Sequence, residues 1–298
     1  MNFEEQLKYF TQLVDQELKE IFRPSEFLYH KVEDAMWYSI QAGGKRLRPI
    51  LTLSVCQMLQ GDQRVALPFA CAVETIHTSS LIHDDLPCMD DDDLRRGKPS
   101  CHIAFGEDVA LLAGDGLLLR AFEILSGAIS SGATPQMVAE GVRILSTLAG
   151  PDGMVGGQMI DLSCQGTSID ETTLEQMHCL KTGALIQAAC QLGGAAAGAD
   201  SKMQQHLKQY AQALGLAFQI CDDLLDVEGD ETLLGKPIGS DAQQQKTTYV
   251  TLHGVCQAKE LAYIRTQQAE QELNYLEQLS LDVSFLRDLT RFLLQRDH

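Results

Sequence analysis

Two groups of aspartates could do chemistry here: Asp84-Asp85-Leu86-Pro87-Cys88-Met89-Asp90 and, far downstream, Asp222-Asp223-Leu224-Leu225-Asp226. Each follows a long apolar stretch with helical spacing. Carboxylates gathered in threes repel one another and resist burial unless a cation compensates them, and hard oxygen donors suit Mg²⁺ rather than zinc. One such cluster reads most simply as a solvated acidic face. Two clusters with the same Asp-Asp-x-x-(x-x)-Asp pattern, each near basic residues, point instead to a diphosphate held on metal.

Asp222 and Asp226 are four residues apart, on one helix face about a turn apart, with Asp223 at its flank. In the first cluster Pro87 disfavours helical geometry at Leu86, which ends the helix and carries Asp90 round in a loop. The following Asp91, Asp92 and Asp93 are expected to be solvated or to hold metal-bound water, since Mg²⁺ takes one or two protein carboxylates and fills its remaining positions with water and phosphate. A calcium EF-hand fails in both registers, because counting from Asp84 or Asp90 puts Met89 or Arg95 where Gly is required. A nucleotide P-loop fails too, since Gly235-Lys236 is followed by Pro237.

Cations sit at the same address. Gly43-Gly44-Lys45-Arg46-Leu47-Arg48-Pro49 places a flexible glycine pair before three of them, and Arg95-Arg96-Gly97 follows the first aspartates directly. Either group alone would read as exposed basic residues at a helix end. His77, seven residues before Asp84, returns to a similar helix face and so points toward an anion rather than into packing.

The elements that must position these residues are helical. Phe3, Leu7, Phe10, Val14, Leu18 and Ile21 trace one face at three-and-four spacing, and this periodicity continues almost throughout. Breaks at Arg23-Pro24, Ala42 to Gly44, Gly61-Asp62, Gly97 to Pro99, Gly132 to Pro135, Gly150 to Gly153, Gly198 to Asp200 and Gly235 to Pro237 punctuate roughly ten helices. The stretches Ala104 to Ile129 and Leu174 to Ala197, rich in Ala, Leu and Gly, are expected to be central helices surrounded by others.

The 298 residues, 45% hydrophobic, suffice for a continuous core, and no linker divides them. With 23 Lys+Arg against 41 Asp+Glu, the net charge of −18 disfavours nucleic acid and anionic membrane surfaces as partners. Nine cysteines without C-x-x-C spacing signal neither zinc nor a redox motif and fit reduced thiols. The start is acidic where a signal peptide is basic, and no uninterrupted apolar run reaches the length of a membrane span. The expectation is a cytoplasmic protein with no stable membrane insertion.

The chain resembles the short-chain trans-polyprenyl diphosphate synthases, the farnesyl and geranylgeranyl diphosphate synthases. The likeness runs through the glycine-basic segment, Ser80 to Asp90, Asp93 to Gly97, Leu112 to Asp115, Gly156-Gly157-Gln158, Lys181 to Ala184 and Phe218 to Asp226. It implies an all-α fold, an isoprenoid synthase-type bundle of roughly ten or more helices around a central cavity. It further implies a single domain over residues 1–298, a homodimer, and Asp motifs facing each other across the cavity mouth. Carried over by residue, Asp84, Asp90 and Asp222 become direct Mg²⁺ ligands, with Asp85, Asp223 and Asp226 close by or bound through water. A cluster of about three Mg²⁺ ions is implied, with Mn²⁺ an alternative. Arg95, Lys181 and Lys236 would hold the allylic diphosphate; Lys45, Arg48, His77 and Arg96 would hold isopentenyl diphosphate; Thr182 and Gln219 would face the reacting carbons. The activity implied is head-to-tail condensation of isopentenyl diphosphate with dimethylallyl, geranyl or farnesyl diphosphate. Diphosphate is released.

Ser79 and Ser80 stand one turn before Asp84, where a bulky residue would stop a growing chain. The four or five positions to Asp84 correspond to roughly 6 to 8 Å of axial depth, about one isoprene unit more than an aromatic floor would permit, and the small pair favours a C20 over a C15 product. A longer-chain synthase and a noncatalytic synthase subunit stay open as alternatives, although such subunits lack one or both Asp motifs. A terpene cyclase is disfavoured by Asp222-Asp223-Leu224-Leu225-Asp226, because its second motif mixes Asn or Asp with Ser or Thr and Glu.

Overall fold

The computed structural model describes residues 1–23, 27–228 and 247–294. They are helical apart from one small hairpin: α1 (Phe3–Ile21), α2 (His30–Ile40), α3 (Leu47–Met58), α4 (Gln63–Asp84), β1 (Leu94–Arg95), β2 (Lys98–Pro99), α5 (Cys101–Phe105) and α6 (Glu107–Gly127). There follow α7 (Pro135–Ala149), α8 (Met154–Cys164), α9 (Glu171–His178), α10 (Ala184–Ala196), α11 (Ser201–Glu228), α12 (Tyr249–Gln278) and α13 (Ser284–Leu294). The chain forms two compact units, one of residues 1–143 and 192–198, the other of 144–191 and 199–298.

In the first unit α1 begins with a reciprocal cap, Glu5 N donating to Asn2 Oδ1 (2.8 Å) and Asn2 N to Glu5 Oε2 (3.0 Å). It buries Phe10, Val14 and Leu18 along one stripe. α4 packs against α6, α3 and α1. By length and composition α4 could cross a membrane, yet 78% of its most apolar window is buried inside the protein. Two of its threonines are satisfied locally, Thr75 donating to Cys71 O and Thr78 to Glu74 O.

α6 departs from the expectation of a helix covered on all sides. Val109, Ala113, Leu117 and Ala121 are buried, but Leu111, Leu112, Leu118 and Leu119 are exposed. The other helix expected to be central, α10, is buried along nearly its whole length.

The loop from Gln41 to Arg46 is pinned from within. Arg46 sits in the left-handed region at φ 46° and is 4% exposed. It donates to Glu74 (2.9 Å), Asp15 (2.8 Å) and the carbonyl of Ile40 (2.8 Å). So the middle cation of the glycine-basic segment turns inward, while Lys45 stays exposed. Glu74→Gln leaves the buried guanidinium with only the exposed Asp15 as counter-charge, and should lower the unfolding free energy by about 3 kcal/mol in urea titrations.

The second unit has its core where α9, α11 and α12 meet, in Leu174, Met177, Leu216, Ile220, Leu224, Tyr249, Ala258 and Ala262. α13 closes on α11 through Tyr210 Oη and Thr290 Oγ1, 2.8 Å apart and both buried.

Candidate active site

Each unit carries one aspartate cluster. In the first, α4 ends at Asp84 and Asp85 is its cap residue, so the helix stops three residues before Pro87. Leu86 and Met89 close a turn (2.8 Å), and the Asp90 backbone N–H returns to Asp84 O (2.9 Å). The two extra residues of this cluster are absorbed by that turn, which brings Asp90 back beside Asp84.

Asp85 is 2% exposed. Arg95 grips its carboxylate through Nε (2.9 Å) and Nη2, and reaches Asp92 at 3.0 Å. Burial pushes the Asp85 carboxyl above its usual range, against the pull of Arg95. Asp85 and Arg95, expected as metal ligand and diphosphate binder, are thus engaged with each other.

Arg95 stands on β1, and the hairpin turns through Arg96 and Gly97, both at positive φ (54° and 74°). That is the geometry of a tight two-residue hairpin turn, and Arg96 is strained to occupy it. Its guanidinium donates to Gly43 O. A Cβ on Gly44 would meet that guanidinium at 2.6 Å, with Gly44 itself at φ 121°. Gly44 is therefore what lets the two basic segments touch so closely.

Arg48 completes the group. Burial and the nearby Arg96 lower its pKa to about 10, and its buried Nε has no hydrogen-bond partner among the described residues. Burial pushes the His77 imidazole well below its ordinary value, and Arg48, Arg96, Arg46 and Arg95 add to the shift. His77 is neutral at pH 7. A buried donor without an acceptor, beside repelling cations, marks a place for an anion.

Ser79 and Ser80 part company. Ser79 is 3% exposed and its hydroxyl donates across to Gly114 O of α6 (2.8 Å). Ser80 donates back to His77 O (2.9 Å) and shares with His77 and Asp84 the less buried face of α4.

In the second unit a cavity of about 150 Å³ is lined by Asp161, His178, Lys181, Thr182, Gln219, Asp222, Asp223, Thr247 and Thr248 among others. Lys181 and Thr182 lie in one wide π-helical turn, Cys179–Gly183, an irregularity that loosens the backbone and recurs at functional sites. α8 presses on it so closely that a Cβ on Gly157 would meet Lys181 N at 2.1 Å. Lys181 Nζ donates to Asp161. Asp222 is half-buried, while Asp223 and Asp226 are 5% and 3% exposed. Lys236 lies outside the described residues.

Residues 29–279 match the sequence model described as Polyprenyl synthetase. The chain belongs to the polyprenyl synthetase family. It is 44% identical over 268 residues to the farnesyl diphosphate synthase of Geobacillus stearothermophilus, covering 90% of this chain and 89% of that one. It is 43% identical over 270 residues to the geranylgeranyl diphosphate synthase of Cyanophora paradoxa, covering 90% and 88%. The crystal structure of an FPP/GFPP synthase from Zymomonas mobilis has a TM-score of 0.86 at 36% identity, covering 98% of this chain and 99% of that chain. The fold is accordingly that of the isoprenoid synthases.

Among the described residues no three His, Cys, Asp or Glu side chains converge tightly enough to hold a metal by themselves. This donor set fits Mg²⁺ bound largely through substrate phosphate and water, with one or two carboxylates from the protein. In this polyprenyl synthetase Asp84, Asp90 and Asp222, each half-buried, have the oxygen donors for it.

Asp161, His178 and Tyr249 were not foreseen. Asp161 was legible as the residue one helical turn beyond Gly157, and His178 as one turn before Lys181. Gln158, whose buried amide atoms have no partner among the described residues, stood in a noted motif without a role.

Burial lowers the His178 pKa from 6.5 to about 4. The unfolded chain therefore binds the extra proton, and stability is complete above about pH 6.5 and lost as pH falls toward 4, by at most about 3 kcal/mol for this group. His178→Gln should flatten the urea midpoint against pH in that window. For His77, inorganic pyrophosphate neutralises the surrounding arginines and should raise the imidazole pKa in a proton NMR titration. Identical curves with and without pyrophosphate would place the anion elsewhere.

Proposed function

We propose that the protein is a trans-prenyltransferase that condenses isopentenyl diphosphate head to tail with dimethylallyl, geranyl or farnesyl diphosphate. It makes farnesyl and geranylgeranyl diphosphate and releases diphosphate. The observation that carries this reading is the presence of two kinds of diphosphate chemistry in one chain. Carboxylates at Asp84, Asp90 and Asp222 suit a diphosphate bound with metal. Arg48, Arg96 and His77, which among the described residues are held apart from any carboxylate but Glu74 and carry an unmatched donor, suit one bound without it. A reaction joining two diphosphate substrates needs both.

Asp84, Asp90 and Asp222 would hold Mg²⁺, which would supply positive charge for the oxygens of the leaving diphosphate. Lys181 and, outside the described residues, Lys236 add fixed positive charge for the same oxygens. Thr182 and Gln219 present oxygen dipoles to the allylic carbon as it becomes cationic. Lys45, Arg48 and Arg96 orient isopentenyl diphosphate so that its double bond attacks that carbon. A new C–C bond forms, and a proton then leaves to the departing diphosphate, restoring an alkene. Neutral His77 donates a hydrogen bond to substrate rather than moving a proton.

The exposed Leu111, Leu112, Leu118 and Leu119 of α6 support a homodimer that covers this face. Nine free cysteines and the acidic surface support a cytoplasmic protein without membrane insertion or nucleic-acid binding.

Small residues at 79 and 80 favour the C20 product. Purified protein with Mg²⁺, labelled isopentenyl diphosphate and C5, C10 or C15 primers should give C15 and C20 alcohols after dephosphorylation, and Ser79→Tyr should shift them toward C15. An unchanged ratio would remove Ser79 as the stop, and no condensation with any primer would remove the function itself.

A further inference from the structure

The three aspartates of the second cluster do different things. Asp222 lines the cavity and is half-buried. Asp223 also reaches the cavity wall, but its Oδ2 accepts the backbone N–H of Tyr249 at 2.8 Å in a buried hydrogen bond. Tyr249 is the first residue of α12, whose leading N–H groups have no acceptor within the helix. Thr248 caps Thr251 N with its own hydroxyl (3.1 Å), and Asp223 supplies the acceptor for Tyr249. A carboxylate at that end also meets the positive pole of the helix dipole.

The Tyr249 side chain adds a second hold. Its ring, 2% exposed, stacks on His178 with centroids 5.8 Å apart and planes 19° apart. His178 Nε2 lies 4.0 Å from Asp223 Oδ2. The Asp223 hydrogen bond thus ties the start of α12 to α11, and the Tyr249 ring lays the end of α9 against the same corner. The residues just before Tyr249, Thr247 and Thr248, line the same cavity as Lys181, Thr182, Gln219 and Asp222.

We propose that Asp223 is a positioning residue: it docks the start of α12 on α11 and thereby holds the Thr247-Thr248 wall of the cavity, while metal binding falls to Asp222. What this duty requires is an acceptor oxygen. A metal ligand at the same position would require the negative charge. Asparagine separates the two, because its amide oxygen still accepts from Tyr249 while its charge is gone. The activity arm of the test rests on the proposed prenyl transfer; the docking arm does not.

The test compares Asp223→Asn, Asp223→Ala and Asp222→Asn in the full chain. Hydrogen exchange at the Tyr249 amide is measured without metal, and kcat and the Mg²⁺ concentration for half-maximal rate are measured with substrates. Asp223→Asn should keep Tyr249 protection within about 3-fold and kcat within about 5-fold, with an unchanged Mg²⁺ requirement. Asp223→Ala should speed exchange at Tyr249 by at least about 10-fold and lower kcat by about 50-fold, a loss that the asparagine variant restores. Asp222→Asn should leave the amide protected and raise the Mg²⁺ requirement by about 10-fold or more. The proposal is overturned if Asp223→Asn loses as much activity as Asp222→Asn with Tyr249 still protected, or if Asp223→Ala leaves the amide protected. Should Asp223→Ala fail to fold, the asparagine variant decides alone. An inactive wild type would sink the proposed function and leave the exchange comparison intact.

Discussion

Arg46, Arg48, Arg96 and His77 crowd one corner of the first unit, and their mutual repulsion is the constraint that the surrounding structure is organised to bear. Arg46 is neutralised by Glu74 and Asp15. Arg96 is held by a backbone carbonyl, which carries partial negative charge without cancelling the cation. His77 yields its proton. Arg48 is left with a donor that no described residue accepts. Charge removed at Arg46 and His77 and retained at Arg48 and Arg96 is how an acidic protein, −18 overall, can still present a local attraction for a polyanion.

The backbone bears part of the same load. Arg46, Asp91 and Arg96 all sit at positive φ, a conformation that non-glycine residues adopt at some cost in energy. They flank the carboxylates and cations that the chemistry needs. Local propensity gives way where the arrangement of side chains matters more than the comfort of the chain.

Helical periodicity and the glycine and proline breaks made most of the fold legible. Pro87 announced the end of α4, and the pattern at Asp222 and Asp226 placed them on one helix. What spacing could not reveal were contacts made by backbone or by residues far apart in sequence. The turn of Asp90 onto Asp84, the grip of Arg95 on Asp85 and the docking of Tyr249 on Asp223 depend on where carbonyls and N–H groups end up, which side-chain type does not encode. The bare side of α6 was misread for a related reason: an apolar helix face has the same composition whether this chain or another surface covers it.

Gly157 carries a consequence for how the protein can vary. The Lys181 backbone nitrogen occupies the space where any side chain at position 157 would begin, so even alanine there must push on the turn that bears Lys181 and Thr182. The position will therefore accept almost no replacement during neutral drift, although it contributes no functional group. Intolerance at such a site records the closeness of two backbones, and a survey of substitutions that ranked positions by damage alone would mistake it for chemistry.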